Sequence, residues 1–148
     1  MLSVGDGGRP WMRDAWDDYT RRMPKPLRPL SVLVDPAKGG HARQARYEET
    51  ARLLRGAGGA RAVVLDRSGA EWSTERLAQR LSAWRAAGRD IALLIGGADG
   101  LDPEALGAAA ETWSLGPLTL PHGLVRVLVA EQLYRAWSIL EGHPYHRA

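Results

Sequence analysis

A glycine-rich run follows the most apolar segment of the chain and offers a place where a ligand could meet the backbone. Gly96-Gly97-Ala98-Asp99-Gly100 comes directly after Ile91–Ile95, a stretch without polar alternation. Glycine permits positive φ and lets a ligand approach the main chain closely. The run is neither a Walker motif nor a GxGxxG fingerprint. A tight structural turn therefore accounts for it as well as a ligand site does.

A second segment combines two prolines and a glycine with three residues typical of strands. It reads Leu115-Gly116-Pro117-Leu118-Thr119-Leu120-Pro121-His122. Such a segment exposes backbone donors and acceptors with little side-chain bulk, which suits the recognition of an adenine edge. A plain loop is the alternative.

The chain closes on His143-Pro144-Tyr145-His146-Arg147, a polar and aromatic tail. Two histidines lie three residues apart, but zinc needs three or four ligands and no acid cluster or thiol completes a set. No metal site is therefore predicted. From the residues alone, the tail fits a disordered terminus better than a site, and His41 and His122 fit structural or exposed positions.

Short strand-like segments alternate with helical ones, which is typical of an α/β domain with a mainly parallel sheet. The predicted strands comprise residues 2–4, 30–34, 62–65, 91–95 and 118–120. The middle three end at Asp35-Pro36, Asp66-Arg67 and Gly96-Gly97. Loops should therefore gather at the carboxyl ends of the strands, where open α/β sheets bind ligands.

Helices are predicted over residues 11–23, 42–55, 73–87 and 124–140, with a short one that starts at Asp102-Pro103. The last helix is apolar around most of its circumference in its first half. Such a helix must be buried on several sides. In so small a domain, this pattern predicts a partner subunit.

Composition excludes several classes of protein. The chain has 148 residues, which suits one domain over residues 1–148, and no apolar run approaches the roughly 20 residues of a membrane helix. It has no cysteine, which excludes disulfides, thiolate zinc sites and a cysteine nucleophile. Because no signal-peptide pattern opens the sequence either, we expect a cytoplasmic protein.

Charge and cysteine content also bear on the substrate. Arginine supplies 18 of the 20 basic residues, and the net charge is +3. Arginine suits phosphate and base contacts, although a general preference for arginine on solvated helix faces explains the same composition. Methylation of a pyrimidine at carbon 5 proceeds through a cysteine adduct. Any methylation of nucleic acid by this chain should therefore target nitrogen or oxygen.

The chain also resembles a known family, loosely to about residue 60 and densely from Arg89 to Arg147. The segments that carry the resemblance are Leu93-Leu94-Ile95-Gly96-Gly97-Ala98-Asp99-Gly100-Leu101, Trp113-Ser114-Leu115, Leu118-Thr119-Leu120-Pro121-His122, the run from Leu124 to Ile139, and the closing tail. They are similar to the ribosomal RNA large subunit methyltransferase H family of the SPOUT superfamily. Its members methylate N3 of a pseudouridine in helix 69 of 23S rRNA.

The resemblance implies an α/β fold with a C-terminal trefoil knot, a homodimer, and S-adenosylmethionine as cofactor without a metal. The implied cofactor contacts are Leu65, Gly96, Leu115, Gly116, Pro117, Leu118, Thr119 and Leu120. The implied substrate-site residues are Tyr145, His146, Arg147 and Arg126. The last helix becomes the dimer interface. Gly123 and Ala98-Asp99 depart from the family pattern, but these residues keep short or acidic character.

Two functions compete at this stage. The first is methyl transfer to helix 69 within the ribosome, with His146 taking the N3 proton and Arg147 or Arg126 stabilising carbonyl charge. The second is a catalytically silent knotted dimer that only binds rRNA. Because the cofactor segment and the tail are both intact, the sequence favours the enzyme.

Overall fold

The computed structural model describes residues 1–5, 7–39 and 41–146. Its strands are β1 (Leu2–Val4), β2 (Val32–Val34), β3 (Arg61–Glu71), β4 (Ile91–Ile95) and β5 (Glu111–Ser114). Its α-helices are α1 (Pro10–Arg22), α2 (Ala42–Ala57), α3 (Thr74–Ala87), α4 (Pro103–Ala108) and α5 (His122–Leu140). A short 3-10 turn, Lys25–Leu27, follows α1.

The five strands of the described residues form one parallel sheet in the order β2-β1-β4-β3-β5. β4 lies at its centre, pairing Leu93 with Val63 and Leu94 with Leu2. Both faces of β4 are covered, as its unbroken apolar sequence predicts. The predicted α/β fold with a mainly parallel sheet is confirmed.

Two apolar cores flank the sheet because successive side chains of a strand point to opposite faces. Val63 and Leu93 face a core built with α1, α3 and α5. Val64 and Leu94 face a smaller core built with α2 and α4. Each α-helix of the described residues therefore buries one side in one of the two cores.

The helix boundaries follow local capping chemistry. Ser73 caps α3 by accepting a hydrogen bond from the Arg76 amide at 3.2 Å, and Gly88 ends this helix with a φ of 62°. Asp102 caps α4 in the same way, ahead of Pro103.

One predicted strand is wrong. Residues 118–120 are not a strand, and the fifth strand is β5, seven residues earlier in the chain. The apolar character of 118–120 is outweighed by the flanking prolines, which cannot donate to a sheet ladder, and by Gly116, whose φ of 105° breaks an extended path. The polar sequence of β5 conceals it, although its Trp113 is buried.

The end predicted for the third strand is also wrong. β3 does not stop at residue 65 but continues to Glu71 after an irregularity. Leu65 and Ala70 both pair with Trp113, so the four residues between them leave the ladder as a bulge. Asp66 therefore begins the bulge within β3 and does not end the strand.

The long helix α5 is covered on one flank within a single chain. Val129, Ala130 and Leu133 are buried, whereas Leu124 and Val127 are only half-buried. Among the described residues, no helix is long and apolar enough to cross a membrane.

Candidate functional site

A cleft of about 550 Å³ opens at the carboxyl edge of the sheet. It is bounded by the bulge of β3, the glycine run after β4, the segment after β5 and the start of α5. Seven of the eight predicted cofactor residues line it: Leu65, Gly96, Leu115, Gly116, Leu118, Thr119 and Leu120. The eighth, Pro117, lies in the same segment but does not contribute to the lining.

The glycine run folds as a tight turn. The Gly100 amide donates to the Gly97 carbonyl at 3.0 Å. A Cβ added at Gly96 would lie 2.6 Å from the Gly100 carbonyl carbon and 2.8 Å from Leu101 Cγ. The turn itself therefore requires glycine at this position, whatever the ligand, and it presents its backbone to the cleft.

Glu49 supports the glycine run from behind, a role that the sequence did not reveal. Its carboxylate is buried and accepts a hydrogen bond from the Ala37 amide at 2.9 Å. The other carboxylate oxygen lies against Gly97, where an added Cβ would collide with it. α2 thus fixes the loop after β2 and the loop after β4 together.

The bulge of β3 provides a polar wall. Asp66 Oδ1 accepts from the Ser68 amide at 2.8 Å and from the Ser68 hydroxyl at 2.7 Å. Arg67 reaches across the opening, with Nη1 3.5 Å from Thr119 Oγ1. These residues are not among the predicted site residues, although Asp-x-Ser is a recognisable signal for an Asx turn.

The opposite wall begins with a turn that redirects the chain after β5. The Gly116 amide donates to Ser114 Oγ at 3.1 Å, and Ser114 is buried. This turn projects residues 117–120 outward, leaving Leu118 73% exposed. His122, treated in the sequence as a lone histidine, lines the cleft at the first residue of α5. His122 directly follows this segment in the sequence, and that position could have indicated that it lines the cleft.

Trp113 closes the inner end of the cleft. Its side chain is 2% exposed and stacks on Trp72, with ring centroids 5.3 Å apart and planes within 7°. Its indole Nε1 has no hydrogen-bond partner among the residues that the structure describes. Leaving a buried donor unpaired costs about 1–3 kcal/mol.

The described part of the tail, residues 143–146, lies outside the lining of the cleft. The Tyr145 hydroxyl donates to Glu131 Oε1 at 3.2 Å, and its ring meets Tyr134 edge-on at 4.7 Å. Glu131 is nine residues beyond His122, which corresponds to about 13 Å along a helix. The tail turns back along α5 from Glu141 towards the edge that holds the cleft, without reaching it over the described residues.

Tyr145 and His146 are held by different partners. Burial, then hydrogen bonding with Tyr19 and the charge of Glu131, raise the pKa of the Tyr145 hydroxyl far above its ordinary value, so this group stays protonated. His146 Nε2 lies 3.7 Å from Glu75 Oε1 at the start of α3. Arg147, the third predicted tail residue, lies outside the described residues.

Arg126 lies in the interior rather than in the cleft. It is 5% exposed, its guanidinium contacts the Ser31 hydroxyl, and its Cζ lies 5.5 Å from the centre of the Trp16 ring. The structure therefore separates the predicted substrate-site residues. Arg126 packs near Trp16 of α1, Tyr145 packs on α5 with Tyr19 of α1 beside it, and His146 lies near Glu75 of α3.

Comparison with known proteins decides the family. A family model described as predicted SPOUT methyltransferase matches residues 1–146. The chain belongs to the SPOUT methyltransferase family. It is also similar to a protein named ribosomal RNA large subunit methyltransferase H from Alkalilimnicola ehrlichii (strain ATCC BAA-1101 / DSM 17681 / MLHE-1). The two are 47% identical over 152 residues, which cover 100% of this chain and 97% of that relative.

Membership of the SPOUT family confirms the resemblance seen in the sequence. The cleft has the backbone-rich walls and apolar depth that a small organic ligand needs. Across the described ranges, no group of three or more His, Cys, Asp or Glu side chains could hold a metal ion.

Proposed function

We propose that this protein is an S-adenosylmethionine-dependent methyltransferase that methylates N3 of a pseudouridine in helix 69 of 23S rRNA, acting on the ribosome. The observation that carries this proposal is the convergence of Leu65, Gly96 and the 115–120 segment on one cleft at the carboxyl edge of a parallel sheet. Membership of the SPOUT family and the name of the relative support the reaction and the substrate.

The residues of the cleft suit the cofactor. Leu65, Leu115 and Val125 provide an apolar surface for the adenine, and the main chain of 115–120 can contact its polar edge. Asp66 and Thr119 stand at the more polar end, where ribose hydroxyls would find partners. When bound, S-adenosylmethionine supplies an electrophilic methyl group.

The chain's part in the reaction is mainly proton transfer and positioning. N3 of pseudouridine lies between two carbonyl groups and must lose its proton before it can attack a methyl group. His146 is our candidate for accepting that proton, and Arg147 for stabilising the charge that develops on the carbonyl oxygens. Tyr145, whose hydroxyl stays protonated, is a candidate to stack on the base.

We further propose a homodimer in which the tail of one protomer serves the cleft of the other. Two observations support it. α5 is apolar yet half-buried at Leu124, Val127 and Leu128, and residues 143–146, the described part of the tail, do not line the cleft of their own chain. The single domain, the trefoil knot and the cytoplasmic location that sequence analysis predicted remain predictions.

Two measurements test the activity. Mass spectrometry of helix 69 from a strain lacking this gene should show loss of one methyl group, and the cloned gene should restore it. Calorimetry with S-adenosylmethionine should give micromolar binding. A protein that binds ribosomes but neither binds the cofactor nor restores the methyl group would be the silent binding dimer instead.

Mixed dimers test the arrangement of the tail. One protomer carries Gly96→Ala to disable its cleft, and the other lacks residues 145–148. If the tail acts across the dimer, the mixed dimer regains methyl transfer although each homodimer is inactive. If the mixed dimer is as inactive as its parents, the tail serves its own cleft.

A further inference from the structure

The loop before α2 and the first turns of this helix form a stretch with basic but no acidic residues. Residues 36–47 contain three lysines or arginines and no aspartate or glutamate. The next acid along the chain, Glu48, is already paired with Arg52 at 3.4 Å. The chain as a whole is nearly balanced, with 20 basic and 17 acidic residues. The start of α2 is therefore a local concentration of positive charge.

Two of these basic side chains are exposed and have no acidic neighbour. Lys38 and Arg43 are exposed to solvent, and neither makes an ion pair or a side-chain hydrogen bond with any residue that the structure describes. By contrast, Arg85 on the opposite edge of the molecule pairs with Glu141 at 3.2 Å. Lys38 and Arg43 are therefore available to an external anion.

An exposed aromatic ring lies beside Arg43. Tyr47 is 50% exposed, and among the described residues its ring contacts no other aromatic ring and its hydroxyl has no hydrogen bond. Because Tyr47 follows Arg43 by four residues, the two side chains share one flank of α2. Cations that meet phosphates, together with a ring on which a base can stack, are typical of surfaces that bind single-stranded nucleic acid.

This flank of α2 borders the cleft at the carboxyl edge. Thr50 follows Tyr47 by three residues and lies on the same flank. Its hydroxyl accepts a hydrogen bond from the Asp102 amide at 2.9 Å. Asp102 closely follows the glycine run 96–100, which lines the cleft. RNA lying on this flank would therefore extend to the mouth of the cleft.

The loop that carries Lys38 is attached to the same wall of the cleft. The Ala37 amide donates to the buried carboxylate of Glu49 at 2.9 Å, and the other oxygen of that carboxylate lies against Gly97. Lys38 directly follows Ala37 in the chain. Its backbone is therefore placed beside the glycine run.

We propose that Lys38, Arg43 and Tyr47, together called the α2 rim, hold unpaired nucleotides of the rRNA next to the nucleotide that is methylated. Lys38 and Arg43 bind phosphates, and Tyr47 stacks on a base. The inference rests on the proposed function, because it takes the partner to be the rRNA substrate. It adds to the cleft and the tail a third surface that positions the RNA.

The test of the phosphate contacts compares Arg43→Ala with the matched variant Arg55→Ala. Both arginines are exposed on α2 and each variant removes one positive charge, but Arg55 lies about 18 Å further along the helix, away from the cleft. Arg43→Ala should raise the KM for ribosomes about 3- to 10-fold and lower the slope of log KM against log salt concentration by about 0.7–0.9. Lys38→Ala should behave in the same way. Arg55→Ala should change the KM by less than about 2-fold and leave the slope unchanged.

Further measurements identify the partner of the two cations. Arg43→Lys keeps the charge and should keep the salt slope of the unmodified protein. Equal effects of Arg43→Ala and Arg55→Ala, or an unchanged slope in Arg43→Ala, would overturn the phosphate contacts. If Arg43→Ala weakens binding to ribosomes but not to protein-free 23S rRNA, the rim contacts a ribosomal protein and the proposal is wrong.

Stacking by Tyr47 is tested by its insensitivity to salt. Tyr47→Ala should raise the KM for ribosomes by at least about 5-fold, the loss of one stacked base, without a change in the salt slope. Tyr47→Phe keeps the ring and should stay within about 2-fold of the unmodified protein. Equal KM values for the two variants would remove Tyr47 from the rim.

Calorimetry and activity separate this inference from the proposed function. All these variants should bind S-adenosylmethionine as the unmodified protein does and keep its kcat, because the rim touches neither the cofactor nor the reacting atoms. If the unmodified protein methylates ribosomes and the KM of every variant is unchanged, the α2 rim alone is overturned. If the unmodified protein transfers no methyl group to ribosomes from a strain lacking this gene, the proposed function fails, and the inference with it.

Discussion

The protein has a second cleft, at the amino edge of the sheet, and it is the larger of the two. It measures about 750 Å³, against about 550 Å³ at the carboxyl edge. Its floor includes Met1, Leu81 and Leu133, and its rim includes Lys25 and Arg89. Size and positive charge alone would select this cleft as the place where RNA or a cofactor binds.

Local chemistry favours the smaller cleft. At the amino edge, α1 and α3 present their carboxyl ends, where the helix dipole is negative and cations are expected for structural reasons. The Trp84 indole there is already hydrogen-bonded to Glu111. At the carboxyl edge, backbone turns face the opening and Trp113 Nε1 has no partner within the described part of the chain. Each cleft has a buried donor without a partner among the described residues, Trp113 Nε1 at the carboxyl edge and Arg28 Nε at the amino edge. The backbone turns that face the opening therefore distinguish the two clefts better than volume does.

The largest expected difference is between two substitutions that place a charge at an apolar residue, one near each cleft. Val127→Glu would place a charge on the half-buried face of α5, and if a second protomer covers that face, an unpaired buried charge costs about 3–5 kcal/mol. We expect dissociation or unfolding, with loss of methyl transfer. Leu30→Glu, at the amino-edge cleft, is the control, because Leu30 is 76% exposed. Light scattering at micromolar concentration measures the oligomeric state. A folded, active Val127→Glu monomer would contradict the proposed dimer.

Glycine substitutions compare the two clefts directly. Gly96→Ala forces a Cβ into the Gly100 backbone, and we expect S-adenosylmethionine affinity to fall by more than about 100-fold as the turn shifts, a loss of roughly 3 kcal/mol. A Cβ added at Gly88, at the amino-edge cleft, would meet no atom within 4 Å. Gly88→Ala would only place an alanine in the left-handed conformation that ends α3. It should lower the free energy of unfolding by about 1 kcal/mol without changing affinity. Calorimetry measures the affinity, and urea denaturation measures the free energy of unfolding. Equal affinities of the two variants for S-adenosylmethionine would remove the distinction between the clefts.

Charge reversals test which rim meets RNA. Arg67→Glu at the carboxyl edge should raise the KM for ribosomes about 10-fold, because a cation near the phosphates becomes a repelling anion. Arg89→Glu at the amino edge should change this KM by less than about 2-fold, since no phosphate contact is expected there. Methyl-transfer kinetics at two salt concentrations provide the measurement. The opposite ranking would move the RNA interface to the larger cleft.

The smallest effect concerns the tail, and it is seen only in alkali. The raised pKa of Tyr145 means that the unfolded chain releases this proton first as the pH rises. The stabilising contribution of Tyr145 is therefore complete below about pH 10 and is lost above it. An absorbance titration should therefore show a tyrosine that does not ionise until the protein unfolds. Tyr145→Phe should remove that late step, and its persistence would assign the step to another tyrosine.

The sequence predicted the parts of the fold that depend on local chemistry. The unbroken apolar run of β4, the helix predicted over residues 73–87 and the Asp102-Pro103 helix start each follow from the residues themselves, and all three are confirmed. β5 and the continuation of β3 were missed because they depend on pairing partners distant in the chain. Glu-Thr-Trp-Ser becomes a strand only because β3 offers it an edge.

The site was predictable to a similar extent. Glycine and proline segments mark the cleft walls because their backbone behaviour is local, whereas the roles of Glu49 and Trp113 depend on burial that only the folded chain creates. Seven of the eight cofactor residues that the resemblance implies line one cleft, and their role there stays a prediction. It carried no information on where the tail lies in a single chain, because that depends on packing against Glu131 and Glu75.

The strand order also has a consequence for how the molecule folds. The three strands that surround the carboxyl-edge cleft, β4, β3 and β5, come from one continuous stretch of chain, whereas β1 pairs with β4 from the far N-terminus, Leu2 against Leu94. Closing so long a loop slows the formation of a contact. We therefore expect the pairing of β4, β3 and β5 to be formed in the folding transition state. The pairing of β1 with β4 should form after it. Weakening Leu2 should then mainly speed unfolding, whereas weakening Val63 should mainly slow folding.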